Sequence, residues 1–380
     1  MNIDFKLLER TLAEHKVYDA WQYVESLNET LEYMDMSYNL INKVYEHRKN
    51  ILESTKNEIM ELALKEGIAS FRKDHLDKTN LNIAGYVVDD VAFLQKNSIE
   101  FFHYARLSTD VLFQIVNAAL LGDESYDVTD RMLLRNVLSK VNNNFTTIYQ
   151  QLSTIKNDNE FKYLSAFDNY IKHIKTILIT VKNSFMVGNT NEFYINQFVY
   201  KDVFYDRTEA LGKIKEINDY VIKTIGNILQ EVIQQVPNCL DNSQRIQQIK
   251  FKMQFQNNKS KIDFLAFFIE VENELSELPN EIKIYPLIIK PNNEIYSFDF
   301  RFEKIFIKKL NSSSDRDEII GCADLKNGLE TNEIYRVFEV KAASMADYLQ
   351  YMADFKKTDH QITMNFYAME GEIVAYDNGK

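Results

Sequence analysis

The sequence predicts a two-domain α+β protein: an elongated all-α helical bundle over residues 1–236, then a smaller α+β domain over residues 240–380 with mostly antiparallel strands. Three observations predict it. All four prolines, Pro237, Pro279, Pro286 and Pro291, lie beyond residue 236, so no residue before that point is barred from a helical ladder by a missing backbone donor. After Pro237 the hydrophobic period changes, and Ile249-Lys-Phe-Lys-Met-Gln-Phe-Gln256 alternates apolar and polar residues as a half-buried strand does. A content of 45% hydrophobic and 26% charged residues over 380 positions belongs to a folded chain long enough for two cores.

In the first domain, helices are expected near residues 3–14, 17–77 (broken once), 84–121, 127–155, 159–185 and 207–236. Asp127-Val-Thr-Asp130 and Asn191-Glu-Phe193 supply capping side chains, and Gly122 and Gly188 stand where helix ends want a left-handed residue. In the second domain, a helix is expected over Ile262–Leu278 and another near 344–357. Strand-like stretches cover 282–290, 294–302, 304–310, 334–341, 362–369 and 372–377.

Composition also narrows the function. Cys239 and Cys322 are the only cysteines, far apart and without a CxxC partner, so neither a disulfide framework nor a zinc finger is available, and a reducing cytoplasm is the expected location. The N-terminal MNIDFKLLER carries an acid and no apolar core, and no stretch reaches the ~18 apolar residues of a membrane span. No membrane partner is expected. A formal net charge of -12 argues against a polybasic wrapper of nucleic acid.

The segment Glu100–Leu121 is apolar around most of a helical circumference. At about 100° per residue, His103, Arg106, Asp110, Gln114 and Asn117 fall within a sector of about 80°. A charged stripe on an otherwise buried helix is either a structural lock or a site, because buried Arg and Asp are costly unless paired. The structural reading is a buried Arg106–Asp110 ion pair at i and i+4, with Gln114 and Asn117 as interhelical hydrogen bonders. Glu100-Phe-Phe-His103 also has the ExxH spacing of di-metal bundles, but such sites need a second ExxH and none exists, so no metal is expected. In the next candidate helix, around Phe161–Lys175, the apolar face is formed by Tyr163, Leu164, Phe167, Tyr170, Ile171, Ile174 and Leu178. Asn169 and Lys172 lie opposite, and His173 sits at the border. If the two helices pack together, His173 faces Arg106 and Asp110, a general acid/base beside a cation and an orienting carboxylate.

An aromatic-rich helix paired with the Asn169-Tyr-Ile-Lys172-His173 helix resembles divergent bacterial members of the HEPN superfamily of nucleotide-binding helical domains, over residues 1–236 at most. Many members are metal-independent ribonucleases of toxin–antitoxin and phage-defence systems, in which an Arg precedes a His by four to six residues in a late helix. By this resemblance His173 takes the His position. The Arg position is held by Asp168 or its neighbours, so either Arg106 stands in from the other helix or the protein binds RNA, a nucleotide or a protein without cutting. One literal match to the motif, Arg10-Thr-Leu-Ala-Glu-His15, falls at the start of the chain in another helical context. The resemblance implies attack of a ribose 2′-OH on the adjacent phosphate. His173 moves protons, Arg106 and Asp110 complete the catalytic group, and Asn169, Lys172 and His103 hold the substrate; a homodimer or a partner protein is the expected assembly. The competing class is a non-enzymatic helical scaffold.

A third reading concerns the second domain. Arg336-Val-Phe-Glu-Val-Lys341 puts Glu339 and Lys341 on one face of a strand, Asp299 lies in an earlier strand, and a helix follows. This is similar to the PD-(D/E)xK nuclease core, in which acids hold Mg2+ and the lysine helps to activate water. No cofactor is expected outside that reading. The chain lacks GxGxxG, P-loop, HExxH and GxSxG motifs.

Overall fold

The computed structural model describes residues 3–18, 20–68, 70, 73–122, 125–126, 133–184, 190–239, 246–258, 261–272, 275, 278–289, 295–297, 303–310, 318–326, 336–356 and 365–377. The fold is mixed α+β, with long helices in the N-terminal part and one large sheet at the C-terminal end. The chain divides into two compact units. The first takes in Met1–Ile3, Tyr23–Val116 and Met132–Val232; the second takes in Asp4–Gln22, Asn117–Arg131 and Ile233–Lys380.

The N-terminal helices are α1 (Phe5–Glu14) and α2 (Trp21–Glu66). Asp4 caps α1 by accepting the Leu7 backbone N–H at 3.0 Å. The 46 residues of α2 contain neither Gly nor Pro, giving a rod of about 69 Å. It ends at Gly67, whose φ of +74° is the left-handed conformation that a helix terminus favours in glycine. A short α3 (Lys73–Asp77) and a hairpin of β1 (Leu81–Ile83) and β2 (Tyr86–Val88) follow. Ala84 and Gly85 both have positive φ, as a two-residue primed turn requires. Next comes α4 (Asp90–Leu121), where Asp89 accepts the Ala92 N–H at 2.7 Å.

The pairs Thr30–Ser108, Tyr38–Phe101 and Arg48–Asp90 run in opposite senses, so α2 and α4 are antiparallel neighbours. Arg48 and Asp90 form an ion pair at 2.5 Å with side chains only 7% and 2% exposed, and Arg48 also donates to Thr79 at 3.2 Å. The first unit continues with α5 (Leu133–Asn144), α6 (Thr146–Asn157) and α7 (Asn159–His173). The pairs Phe102–Phe167 and Phe113–Phe161 set α7 antiparallel to α4.

The expectation that residues 1–236 are all helical is corrected by two groups of strands. Residues 84–88 belong to the hairpin before α4, and five strands follow α7: β3 (Ile179–Ser184), β4 (Thr190–Ile195), β5 (Phe198–Tyr200), β6 (Val203–Tyr205) and β7 (Thr208–Glu209). Ile177-Leu-Ile-Thr-Val is rich in β-branched residues, and Ile177 and Ile179 are buried while Leu178 is exposed, which is strand periodicity. Asn191 is therefore in a strand rather than at a helix cap, and Gly188 lies outside the described residues, as do Asp127–Asp130. The order β3-β4-β7 makes one small antiparallel sheet and β5–β6 a separate hairpin, whose Phe198 stacks on Tyr205 at 4.7 Å. Helix α8 (Ala210–Gln235) follows.

The second unit is dominated by β8 (Ile246–Asn258), β9 (Lys261–Val271), β10 (Glu281–Ile289), β11 (Ile295–Ser297), β12 (Lys304–Lys309), β13 (Glu318–Leu325), β14 (Arg336–Ala342) and β15 (Asn365–Asp377). Their order is β11-β10-β14-β13-β12-β9-β8-β15, and an additional β10–β15 pairing joins the far strand back to β10. Seven strands thus form a closed ring, with β11 on the edge of β10. All pairings are antiparallel except β9–β12. One face of the ring carries the core of Phe251, Phe267, Ile269, Ile284, Ile305, Phe338 and their neighbours. On the other face, Phe268, Phe306 and Cys322 are covered by Met352, Tyr348 and Tyr351 of α9 (Met345–Lys356).

The helix expected over Ile262–Leu278 is a strand, β9, because apolar side chains alternate into both covered faces and erase the period-2 signal. The strands expected at 362–369 and 372–377 are one strand, and β13 was not expected. Asp90→Ala strands the buried Arg48 charge. The variant should lose about 3–5 kcal/mol, read as a lowered urea midpoint of the helical signal.

Candidate functional site

The polar stripe of α4 meets α7 through Asp168 and Lys172. Asp168 is only 5% exposed. Its Oδ1 lies 3.1 Å from Nδ1 of His103, and its Oδ2 lies 2.7 Å from Nζ of Lys172. Facing a carboxylate, Nδ1 is the donor. That assigns the neutral ring's acceptor to Nε2, on a side chain that is 42% exposed. The result is an Asp–His pair in which the second ring nitrogen is not the one held by the anchor. One turn along α4, Arg106 ion-pairs with Asp110, donates to Thr109 at 2.9 Å and lies 5.2 Å from the centre of the Phe161 ring. Arg106 is 17% and Asp110 44% exposed, so the pair sits at the rim, with both side chains partly withdrawn from solvent.

Desolvation pushes the Asp110 carboxyl above its ordinary value. The charge and hydrogen bond of Arg106 and the charge of Lys172 pull it down, and the charge of Asp168 pushes it up again. Lys172 and Asp168 of α7 therefore both act on Asp110 of α4, and His103, Arg106, Asp110, Asp168 and Lys172 form one electrostatic group spanning two helices. Its formal charges balance if the histidine is neutral. Farther along the stripe, Asn117 is buried and exchanges two hydrogen bonds with the Tyr126 backbone, at 2.8 and 2.9 Å. That end is a structural lock.

The other expected site residues fall as follows. His173 is the last residue of α7, is exposed, and makes no hydrogen bond, ion pair or ring contact with the described residues; the structure does not bring it to Arg106. Asn169 donates to the Ser165 carbonyl at 2.7 Å, a bond within its own helix. Glu100 pairs with Lys96 at 2.6 Å, while His103 turns to Asp168. Sequence reasoning missed Asp168 as the partner of His103, although it stands four residues before Lys172 and directly follows the apolar Phe167.

In the ring of strands, Glu339 and Lys341 share an outer face, and Nζ of Lys341 reaches Glu339 at 2.9 Å and Asp324 at 3.5 Å. Asp324 is the register partner of both Glu339 and Lys304, and it pairs with Lys304 at 2.8 Å. The hydrogen bond to Asp324 raises the Lys304 ammonium, and burial raises the neighbouring Cys322 thiol. Asp299 lies outside the described residues. Asp324, fifteen residues before Glu339, is the acid that faces the Glu-x-Lys pair. The signal for it was the short strand Glu318–Leu325, interrupted by Gly321.

One protein family, described as a domain of unknown function (DUF8310), matches residues 247–373, the span of the ring of strands. No curated protein and no solved structure matches the chain. Among the described residues, no group of three or more His, Cys, Asp or Glu side chains is placed to hold a metal ion. No described helix is long and apolar enough to cross a membrane.

The raised Asp110 carboxyl has a measurable sign. A folded-state pKa above the unfolded one means that the folded state binds the proton more readily, so stability falls as pH rises through the interval above 3.8. Urea unfolding of wild type and Asp110→Asn across pH should show wild type losing stability relative to the variant over that interval. A constant difference would remove the desolvation account.

Proposed function

We propose that the helical unit is a HEPN-like RNA-interacting module that acts as a metal-independent endoribonuclease, of the kind used in toxin or phage-defence systems. The observation that carries this reading is the partly exposed His103 held by the buried Asp168, which also holds Lys172, with the Arg106–Asp110 pair one turn along α4. This reading moves the acid/base role from His173 to His103. Asp168 orients the imidazole and stabilises it when charged. In the proposed step, Nε2 of His103 takes the proton of a ribose 2′-OH while O2′ bonds to the adjacent phosphorus. The P–O5′ bond breaks and the proton passes to O5′, leaving a 2′,3′-cyclic phosphate. Arg106 and Lys172 hold the charge of the non-bridging oxygens by exchanging part of their pairing with Asp110 and Asp168. Assembly as a homodimer belongs to the same reading.

A second reading is favoured by the convergence of Asp324, Glu339 and Lys341 on one outer face. Mg2+ commonly takes one or two protein carboxylates and completes its shell with water and phosphate oxygens. Asp324 and Glu339 fit that requirement, and when bound the ion would supply an activated water. Lys341 would orient that water beside a phosphate.

Cleavage of a single-stranded RNA by the full chain, with and without EDTA, tests both. His103→Ala is expected to lower the rate by about 100-fold or more, with EDTA without effect, a cyclic phosphate at the product end, and His173→Ala near wild type. Cleavage abolished by EDTA and by Glu339→Gln, but kept in His103→Ala, would transfer the activity to the ring of strands. RNA bound but uncut under every condition would leave a binding module in place of an enzyme.

A further inference from the structure

His103 is the end of a row of rings. Its imidazole lies 5.6 Å from the ring of Tyr104, which lies 5.2 Å from the ring of Tyr33 on α2, centre to centre. Tyr33 is 45% exposed, and Met36, one turn along α2, is 52% exposed. The antiparallel contact of α2 with α4 brings Tyr33 alongside Tyr104, through the nearby Thr30–Ser108 hydrogen bond at 3.1 Å. An aromatic surface therefore runs directly from the proposed proton-moving group onto open helix surface.

We infer that Tyr33 and Tyr104 form a stacking platform for an unpaired base of a single-stranded RNA, next to the phosphate held at His103. This rests on the RNA reading above and deepens it by naming the residues that select the substrate. The argument is one of electrostatics and shape. The chain carries a formal net charge of -12, and the two cations beside His103 are already paired with Asp110 and Asp168. Phosphate attraction is therefore weak, and binding must draw on contacts that need no net positive charge. Base stacking on exposed tyrosine is such a contact, and it requires a base free of its own helix. A duplex keeps its bases stacked inside and presents none to Tyr33.

The test uses the full chain and a mixed-sequence single-stranded RNA carrying one 2-aminopurine, whose fluorescence is quenched on stacking, with the same sequence as a duplex for comparison. Wild type is expected to quench the single strand and to bind it more tightly than the duplex. Tyr33→Ala should lose the quenching and weaken single-strand binding by about five-fold or more, the effect of one lost stacking contact, while Tyr33→Phe keeps both. His103→Ala should retain the quenching while losing cleavage. A Tyr33→Ala chain that binds, quenches and cuts like wild type overturns the platform and leaves the ribonuclease reading standing, as does duplex bound as tightly as single strand. A wild-type chain that binds no RNA overturns both.

Discussion

The contact between Phe102 of α4 and Phe167 of α7, with ring centres 4.1 Å apart and both side chains fully buried, is the constraint on which the helical unit's chemistry depends. It fixes the rotation of both helices about their axes. Position 103 then follows 102 to the edge of the contact, and position 168 follows 167, so His103 and Asp168 meet at 3.1 Å. Phe113 against Phe161 fixes the other end of the same face and puts Phe161 under Arg106. Large apolar side chains thus set the positions of polar ones: dispersion and burial hold the helices in place, and the carboxylate of Asp168 tolerates burial because both of its oxygens are partnered. On its opposite flank α4 meets α2, where the buried Arg48–Asp90 pair restricts sliding along the helix axes and brings Tyr33 beside Tyr104.

The second unit solves its packing differently. A closed ring has no free edge apart from β11, and its strands bury one face on the Phe267 core and the other, in part, under α9. Where α9 does not cover the outer face, residues alternate to charge, and Lys304, Asp324, Glu339 and Lys341 pair across neighbouring strands. Cross-strand pairs of this exposure contribute little to stability. Their arrangement follows from register, and any chemistry there has to be carried by the two carboxylates and the lysine between them.

What was legible in the sequence follows the range of the interactions. The stripe on α4 and the Arg106–Asp110 pair are local, set by helical spacing, and both stand in the structure. The partner of His103 is not local. Which face of α7 turns to α4 depends on the aromatic contacts of Phe167 with Phe102 and Phe198, both remote in sequence, and a helical wheel drawn for α7 alone puts Asp168 and His173 on equal terms. The strands between α7 and α8 were missed because absence of proline permits helix without favouring it; runs such as Ile177-Leu-Ile-Thr-Val prefer the pleated backbone once a partner strand exists. β13 was obscured twice, by Gly321 in its middle and by a bulge opposite Ile307–Lys308 that breaks its alternation, and Asp324 was missed with it.

The RNA reading has to be reconciled with the charge of the chain. A surface of net charge -12 repels a polyanion at long range, and at physiological ionic strength that repulsion is screened beyond about 8 Å. Within that distance the group of His103, Arg106, Asp110, Asp168 and Lys172 is neutral when the imidazole is uncharged and carries one positive charge when it is protonated. In the RNA reading, few counterions are released on binding and the dependence on salt is shallow. A basic nucleic-acid groove behaves in the opposite way, with a strong dependence on salt. In the RNA reading, a group with no net charge leaves discrimination to contacts other than phosphate attraction.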